Sequence, residues 1–240
     1  MKALVVLPTY NEIENIERML RAIRSIAPEQ QILVVDDGSP DGTAAAAESV
    51  GAELGNIEVL KRSGKSGLGS AYRAGFAWGL ERQFEAFVEI DCDFSHDPRE
   101  LPVMLALAVE HEVVIGSRYI PGGSIPSWST SRLLLSKGGN RYASMMLGLG
   151  VADSTAGYRV YRASALEKIN YSQVKADGYG FQIEMTYRAR RAGASIIEHP
   201  ISFTDRTEGE SKMSRAIVTE ALLMVTKWGV ARLLGGPRLN

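Results

Sequence analysis

The stretch Val88-Glu89-Ile90-Asp91-Cys92-Asp93-Phe94-Ser95-His96-Asp97-Pro98 starts as a buried strand and leaves it with two aspartates two residues apart. Carboxylates at a strand exit, just before a helix, stand where open α/β sheets bind ligands. Asp91 and Asp93 in that place suit a divalent cation beside a phosphorylated ligand. The competing reading makes them ordinary turn and cap residues. Asp97 can cap the next helix, with Pro98 at its first position and Glu100 completing the box. Cys92 lies between the two acids, and alternation points it away from them, as a small buried residue rather than a nucleophile.

Other residues offer partners for that chemistry. Asp36 and Asp37 end a second apolar run, in Asp36-Asp37-Gly38-Ser39-Pro40-Asp41-Gly42-Thr43. One can bind a nucleobase or ribose while the other orients the loop, although an Asp before Gly is often only a turn residue. Lys61, Arg62 and Lys65 can meet a phosphate, and Gly64, Gly67 and Gly69 permit close backbone approach. The loop is not a nucleotide-hydrolase phosphate loop, because Val59 stands where that pattern needs glycine. Arg118, Arg132, Arg159, Arg206 and Lys212 occupy loops or element ends in the second half. Singly each reads as a solvated charge; together they can form a cationic pocket for a second phosphate. His96, His111 and His199 lack metal-site spacing, and no Gly-x-Ser-x-Gly elbow is present.

The elements that must carry these residues follow from periodicity. Ala3–Leu7, Ile32–Val35, Ile57–Leu60, Ala86–Ile90 and Val113–Gly116 read as strands. Helices fall between them, the first with Asn11 as cap, Glu14 three residues on, and Ile16, Leu20 and Ile23 on its buried face. This rhythm predicts βαβ units and a Rossmann-like, mostly parallel central sheet flanked by helices. The second half is less regular. It offers a helix over Arg132–Leu147, a turn and strand over Asp153–Tyr161, a helix over Phe181–Ala192, and short strands at Ser195–Glu198 and Pro200–Phe203. From Arg215 to Leu234 a largely apolar helix carries Glu220, Lys227 and Arg232, weakened locally by Gly229. It packs on the chain's own sheet or lies on a membrane surface.

The 240 residues, 45% of them hydrophobic, can bury one large α/β domain. A net charge of −1 gives no support for nucleic-acid binding through bulk charge. The single cysteine excludes an internal disulfide and a multi-cysteine zinc site. The short apolar start is no secretory signal, and no stretch reads clearly as a transmembrane span.

Four segments in order carry a resemblance: Pro8-Thr9-Tyr10-Asn11-Glu12, Val35 to Thr43, Arg62 to Gly69, and Asp91 to Pro98. They resemble the family-2 inverting glycosyltransferases of the GT-A fold. Gly116-Ser117-Arg118-Tyr119, Asp153 to Arg159 and Gly209 to Ser214 resemble the polyprenol-phosphate mannosyltransferases within it, including the dolichol-phosphate mannose synthases. The resemblance covers nearly the whole chain. It implies a catalytic domain over 1–214 and a C-terminal amphipathic helix and tail over 215–240 that contacts a membrane peripherally. It also implies mannose transfer from GDP-mannose to a polyprenyl phosphate at the cytoplasmic membrane face.

On that resemblance, Pro8, Tyr10, Glu12, Asp36, Lys65, Asp91, Cys92 and Asp93 bind the donor. Asp91 and Asp93 hold Mg²⁺ or Mn²⁺, with Ser95 as a third candidate where some relatives have Gln. Arg118 and Arg132 hold the acceptor phosphate, with Ser136, Asn140, Asp153, Arg159, Arg206 and Lys212 around it. Many such relatives carry transmembrane helices after the catalytic domain. This chain resembles the subtype without them, which admits a separate membrane subunit. The residues themselves leave UDP-glucose open as the donor, and a non-catalytic nucleotide-sugar or membrane-binding module open as the role.

Overall fold

Alternation along one strand divides the interior in two. In the computed structural model, which describes residues 1–205 and 215–234, β1 is Ala3–Thr9. Its Leu4 and Val6 face one core while Val5 and Leu7 face the other. A strand buried on both sides must be apolar throughout, so it reads as a continuous run.

The remaining strands are β2 (Gln31–Asp36), β3 (Ile57–Lys61), β4 (Ala86–Glu89), β5 (Val113–Ser117), β6 (Arg159–Arg162) and β7 (Ile196–Pro200). They form one sheet in the order β3-β2-β1-β4-β6-β5-β7. Only β6 runs against its neighbours. The parallel strands therefore end at one edge. β6 enters the sheet at that same edge, which brings the turn before it there too.

Helices α1 (Ile13–Ile26), α2 (Thr43–Leu54) and α4 (Leu101–Leu107) cover one face, through Ile16, Met19, Ala47, Leu101 and Met104. The other face is covered by α3 (Leu68–Glu81), α5 (Thr130–Leu147), α6 (Ala163–Ile169), α7 (Gly178–Arg191) and α8 (Arg215–Leu233). Helix α8 lies along α5 and α7. Val225 is buried there, Trp228 stacks on Tyr187, and the Tyr142 and Thr226 hydroxyls are 2.7 Å apart. A Cβ at Gly229 would meet Met146 Cε at 2.6 Å. That glycine lets the two helices approach closely at Met146.

Local details depart from the sequence expectations. Asn11 does not cap α1; its backbone is left-handed, at φ +57°. The loop after β2 caps the helix instead. Thr43 Oγ1 accepts the Glu12 N–H at 3.0 Å and Asp41 Oδ2 accepts that of Ile13 at 3.1 Å. Asp97 does cap its turn, accepting the Arg99 N–H. Glu100 completes no box, because its carboxylate reaches His199 Nε2 at 2.8 Å. The expected strand at Pro200–Phe203 reduces to single bridges at Ser202 and Phe203. Helix α6 has no counterpart in the sequence reading.

Candidate active site

The common strand edge opens into a cleft of about 740 Å³. One flank is built by the strand exits. Pro8 lies near the end of β1, Tyr10 and Glu12 follow it, Asp37 follows β2, and Lys65 comes from the loop after β3. The Lys65 ammonium lies 4.6 Å from the centre of the Tyr10 ring. The loop's other two cations are engaged elsewhere. Lys61 pairs with Glu48 at 2.7 Å on the surface, and Arg62 pairs with Asp37 at 2.7 Å.

Asp36 does not line the cleft. It is buried, and its carboxylate accepts from Thr9 Oγ1, Ser39 N and Ser39 Oγ at 3.0, 2.9 and 2.6 Å. It shapes the loop, and its neighbour Asp37 faces the cleft. The backbone path makes this division: alternate residues leaving β2 turn to opposite sides.

Asp91 and Asp93 both line the cleft. Asp93 is buried and accepts the Ser95 N–H at 3.0 Å, so Ser95 braces the loop through its backbone. Asp91 is more open and has His96 Nε2 3.9 Å from Oδ2. Burial, then Arg118, pushes the His96 pKa down to about 4. The imidazole is therefore neutral near pH 7 and forms no ion pair with Asp91. Cys92 borders the cleft, and its buried side chain joins the core with Leu101 and Tyr158.

Among the described residues no three His, Cys, Asp or Glu side chains converge as a metal cage. Two carboxylates at a strand exit fit a cation of the Mg²⁺ or Mn²⁺ kind, whose remaining positions are taken by substrate phosphates and water. The charges agree. The lining carries Glu12, Asp37, Asp91, Asp93, Asp177 and Asp205 against Lys65, Arg118 and Arg132, so an anionic ligand needs a cation to enter.

Two arginines also line the cleft. Arg118 is buried and doubly bonded to Asp153, Nε to Oδ2 at 2.7 Å and Nη2 to Oδ1 at 2.8 Å; Nη2 also donates to Thr155 Oγ1 at 2.8 Å. Burial opposes both charges, yet Arg118 beside it holds the Asp153 carboxyl below the usual range. Arg132 is half-exposed, 3.9 Å over the Trp128 ring and 3.3 Å from Asp205.

The other expected acceptor residues among those described are not in the cleft lining. Ser136 accepts from Tyr119 Oη at 2.6 Å, and Asn140 bonds Ser154 and Thr155 beneath Arg118. Asp153 is the buried partner of Arg118 rather than a ligand contact. Arg159 corrects the expectation outright. It is fully buried and donates to Ala156 O, Ser154 O, Tyr161 Oη, Gln182 O and Thr186 Oγ1 inside the fold. Those five acceptors replace water, so it has no need to reach a ligand. Arg206, Lys212 and the Gly209–Ser214 segment lie outside the described residues.

Sequence reasoning missed the α7 wall of the cleft. Asp177 and Gln182 line it, with Tyr179 between them. Asp177 Oδ1 accepts the Gly69 N–H at 2.7 Å, so it caps α3 from 108 positions away. A Cβ at Gly67, whose φ is +90°, would fall 1.7 Å from Asp177 Oδ2. The glycine spacing of the 61–69 loop thus admits a carboxylate of the chain as well as any ligand. The Asp-Gly-Tyr-Gly run at 177–180 is the only local signal that could have flagged this wall.

The profile described as glycosyl transferase family 2 matches residues 4–170. The chain is 49% identical over 238 residues to an undecaprenyl-phosphate mannosyltransferase of Micrococcus luteus, covering 99% of this chain and 98% of the relative. It is 48% identical over 231 residues to a polyprenol monophosphomannose synthase of Mycolicibacterium smegmatis, covering 95% and 87%. Among solved structures, a glucosyl-3-phosphoglycerate synthase from Mycobacterium tuberculosis, in complex with Mn²⁺ and UDP-glucose, superposes with a TM-score of 0.64. That match has 20% identity and covers 99% of this chain and 80% of the other.

Proposed function

The chain belongs to glycosyl transferase family 2, and from that premise we propose that it transfers mannose from GDP-mannose to a polyprenyl phosphate, with inversion. The observation that carries this reading is that one cleft is lined both by an acidic pair at a strand exit, Asp91 and Asp93, and by an arginine pair, Arg118 and Arg132. Two phosphorylated ligands can be held there. The names of the two relatives at 49% and 48% identity, an undecaprenyl-phosphate mannosyltransferase and a polyprenol monophosphomannose synthase, support it.

Asp91 and Asp93 would hold Mg²⁺ or Mn²⁺, and that cation, when bound, offsets the charge developing on the departing diphosphate. Tyr10, Glu12, Asp37 and Lys65 bind the nucleotide end. Arg132 takes the acceptor phosphate by giving up Asp205, a half-exposed 3.3 Å pair that is cheap to break. Arg118 adds a fixed positive charge whose position Asp153 sets. An acceptor phosphate oxygen forms the new bond to the anomeric carbon. The bond from that carbon to the donor diphosphate breaks, and its electron pair leaves with GDP. A phosphate monoester is largely ionised at neutral pH, its second pKa being about 6, so no general base is required.

The acceptor is a lipid, and we infer that the exposed side of α5 and α8 lies on the membrane that holds it. Leu134, Leu135 and Met145 of α5 are exposed, as are Leu222, Leu223 and Val230 of α8. Helix α5 has no acidic residue and carries Lys137 and Arg141, which suits a cytoplasmic, anionic leaflet. Among the described residues no helix is long and apolar enough to cross a membrane.

The deciding experiment offers purified protein, with Mn²⁺ or Mg²⁺ and a short polyprenyl phosphate, labelled GDP-mannose and in parallel labelled UDP-glucose. Label is expected in the lipid phase from GDP-mannose alone, as the β-linked product. Transfer from UDP-glucose alone overturns the donor; an α-linked product overturns the single displacement. Transfer only after a membrane fraction is added would reveal a separate membrane subunit.

A further inference from the structure

Gln182 is held on the cleft wall more firmly than a lining residue requires. Its Nε2 donates to Glu89 Oε2 at 2.8 Å. Its backbone carbonyl accepts from Arg159 Nη1 at 3.2 Å and Thr186 Oγ1 at 2.8 Å. The preceding residue, Phe181, stacks on Tyr72 with ring centres 6.0 Å apart. Gln182 and Glu89 are 2% and 0% exposed.

Yet Gln182 Oε1, Glu89 Oε1 and Tyr72 Oη have no hydrogen-bond partner among the described residues. These atoms come from α7, β4 and α3, and the Tyr72 hydroxyl is within electrostatic reach of Asp91 and Glu89. Buried oxygens without partners cost stability, and apolar side chains of similar size would avoid that cost. Their retention beneath the acidic pair calls for a ligand-directed reason.

Position supplies it. Glu89 precedes Asp91 by two residues in the same segment, and Gln182, whose amide it holds, lines the same cleft as the acidic pair. The transferred sugar must lie between the diphosphate at Asp91 and the acceptor phosphate at the arginines. Resting on the function proposed above, we propose that Gln182 reads a hydroxyl of the transferred hexose, with Glu89 as its positioning residue. With Nε2 committed to Glu89, the amide's remaining polar atom is its unpartnered oxygen, an acceptor that a hydroxyl can satisfy. A site built to bond a hydroxyl discriminates strongly against an analogue lacking it.

The test compares binding of GDP with binding of GDP-mannose, both with Mn²⁺, by titration calorimetry. Gln182→Met keeps the length of the side chain and removes both polar amide atoms. GDP affinity is expected to stay within about twofold, while GDP-mannose affinity falls about tenfold, the loss of one buried hydrogen bond. Across a series of deoxymannose donors, wild type is expected to penalise one about tenfold and Gln182→Met to bind that one as well as the parent. A purely structural role would move GDP and GDP-mannose together. An unchanged GDP-mannose to GDP ratio in Gln182→Met, or a deoxy penalty that survives it, overturns the proposal. Should Gln182→Met fail to fold, Gln182→Asn retracts the amide by one carbon and is read the same way. Wild-type protein that neither binds nor uses GDP-mannose would sink the proposed function instead. The same ratio is then measured with UDP and UDP-glucose, and the same outcomes decide on Gln182.

Discussion

Arg118 and Asp153 form a buried ion pair, so the role proposed for Arg118 in binding can be separated from what the pair does for stability. Truncating one partner of a buried ion pair strands the other charge, at about 3–5 kcal/mol. Asp153→Asn is therefore expected to destabilise the fold by about 3 kcal/mol at pH 7. The sign with pH follows from the depressed carboxyl, burial opposing and Arg118 prevailing. Asp153 contributes stability above its unfolded pKa of about 3.9 and loses it as pH falls through the lower folded value. Urea melts should show the wild-type advantage shrinking below about pH 4, and a constant gap down to pH 2 would refute the pairing. Arg132, by contrast, is half-exposed. Arg132→Ala should leave the melting temperature unchanged and raise the acceptor KM about tenfold, the worth of a charged hydrogen bond. At Asp91 and Asp93, Asn substitutions should cut metal-dependent turnover on the order of a hundredfold, since a bound cation supplies several kcal/mol at the transition state. Unchanged turnover in both would remove them from the chemistry. These two acids were legible in the sequence because a strand exit announces itself by apolar run and spacing. Arg159 was not. It is buried by α7, more than 20 positions further on, and no local pattern separates a buried arginine from a solvated one.

At the scale of elements, the loop over 61–69 and α7 form one mechanical unit. Gly67 opens the space and Asp177 fills it, bonding the Gly69 N–H at 2.7 Å. Losing such a cap costs about 1 kcal/mol. Asp177→Ala is therefore expected to lower stability by about that amount, speed amide exchange at 67–70, and raise the donor KM several-fold through a loosened Lys65. Exchange at 67–70 equal to wild type would show that the loop holds itself. The parallel half of the sheet was readable because each strand is a continuous apolar run followed by a loop and a helix. The direction of β6 was not, because direction depends on the partner strand. Arg159-Val160-Tyr161-Arg162 lies between β4 and β5, neither of them adjacent in sequence. Capping of α1 by Thr43 and Asp41 was hidden for the same reason. The sequence offered Asn11 locally, and the fold used a loop some 30 positions later.

For the whole molecule, the function proposed above asks the cleft and the apolar helix faces to serve one substrate whose ends prefer different solvents. Trp128 and Arg132, at the start of α5, and Ala221 and Met224 of α8 line the cleft. Further along the same helices, Leu134, Leu135 and Leu223 are 65%, 70% and 67% exposed. A phosphate bound at Arg132 thus lies beside an apolar surface that can sit among acyl chains. Exposed leucines on a soluble face are individually unremarked, but this set shares a surface with Lys137 and Arg141 and with no α5 carboxylate. Each leucine buried in the bilayer boundary is worth about 1.5–3 kcal/mol. Changing Leu134, Leu135 and Leu223 together to Ser should then reduce co-sedimentation with anionic phospholipid vesicles by well over about a hundredfold. The variant should keep wild-type kcat on a water-soluble, short-chain polyprenyl phosphate, because none of the three lines the cleft. Its rate on long-chain acceptor in vesicles should fall with binding. Undiminished co-sedimentation would place the membrane contact elsewhere. Equal loss on the soluble acceptor would mean that these leucines hold the cleft together rather than hold the enzyme to the lipid.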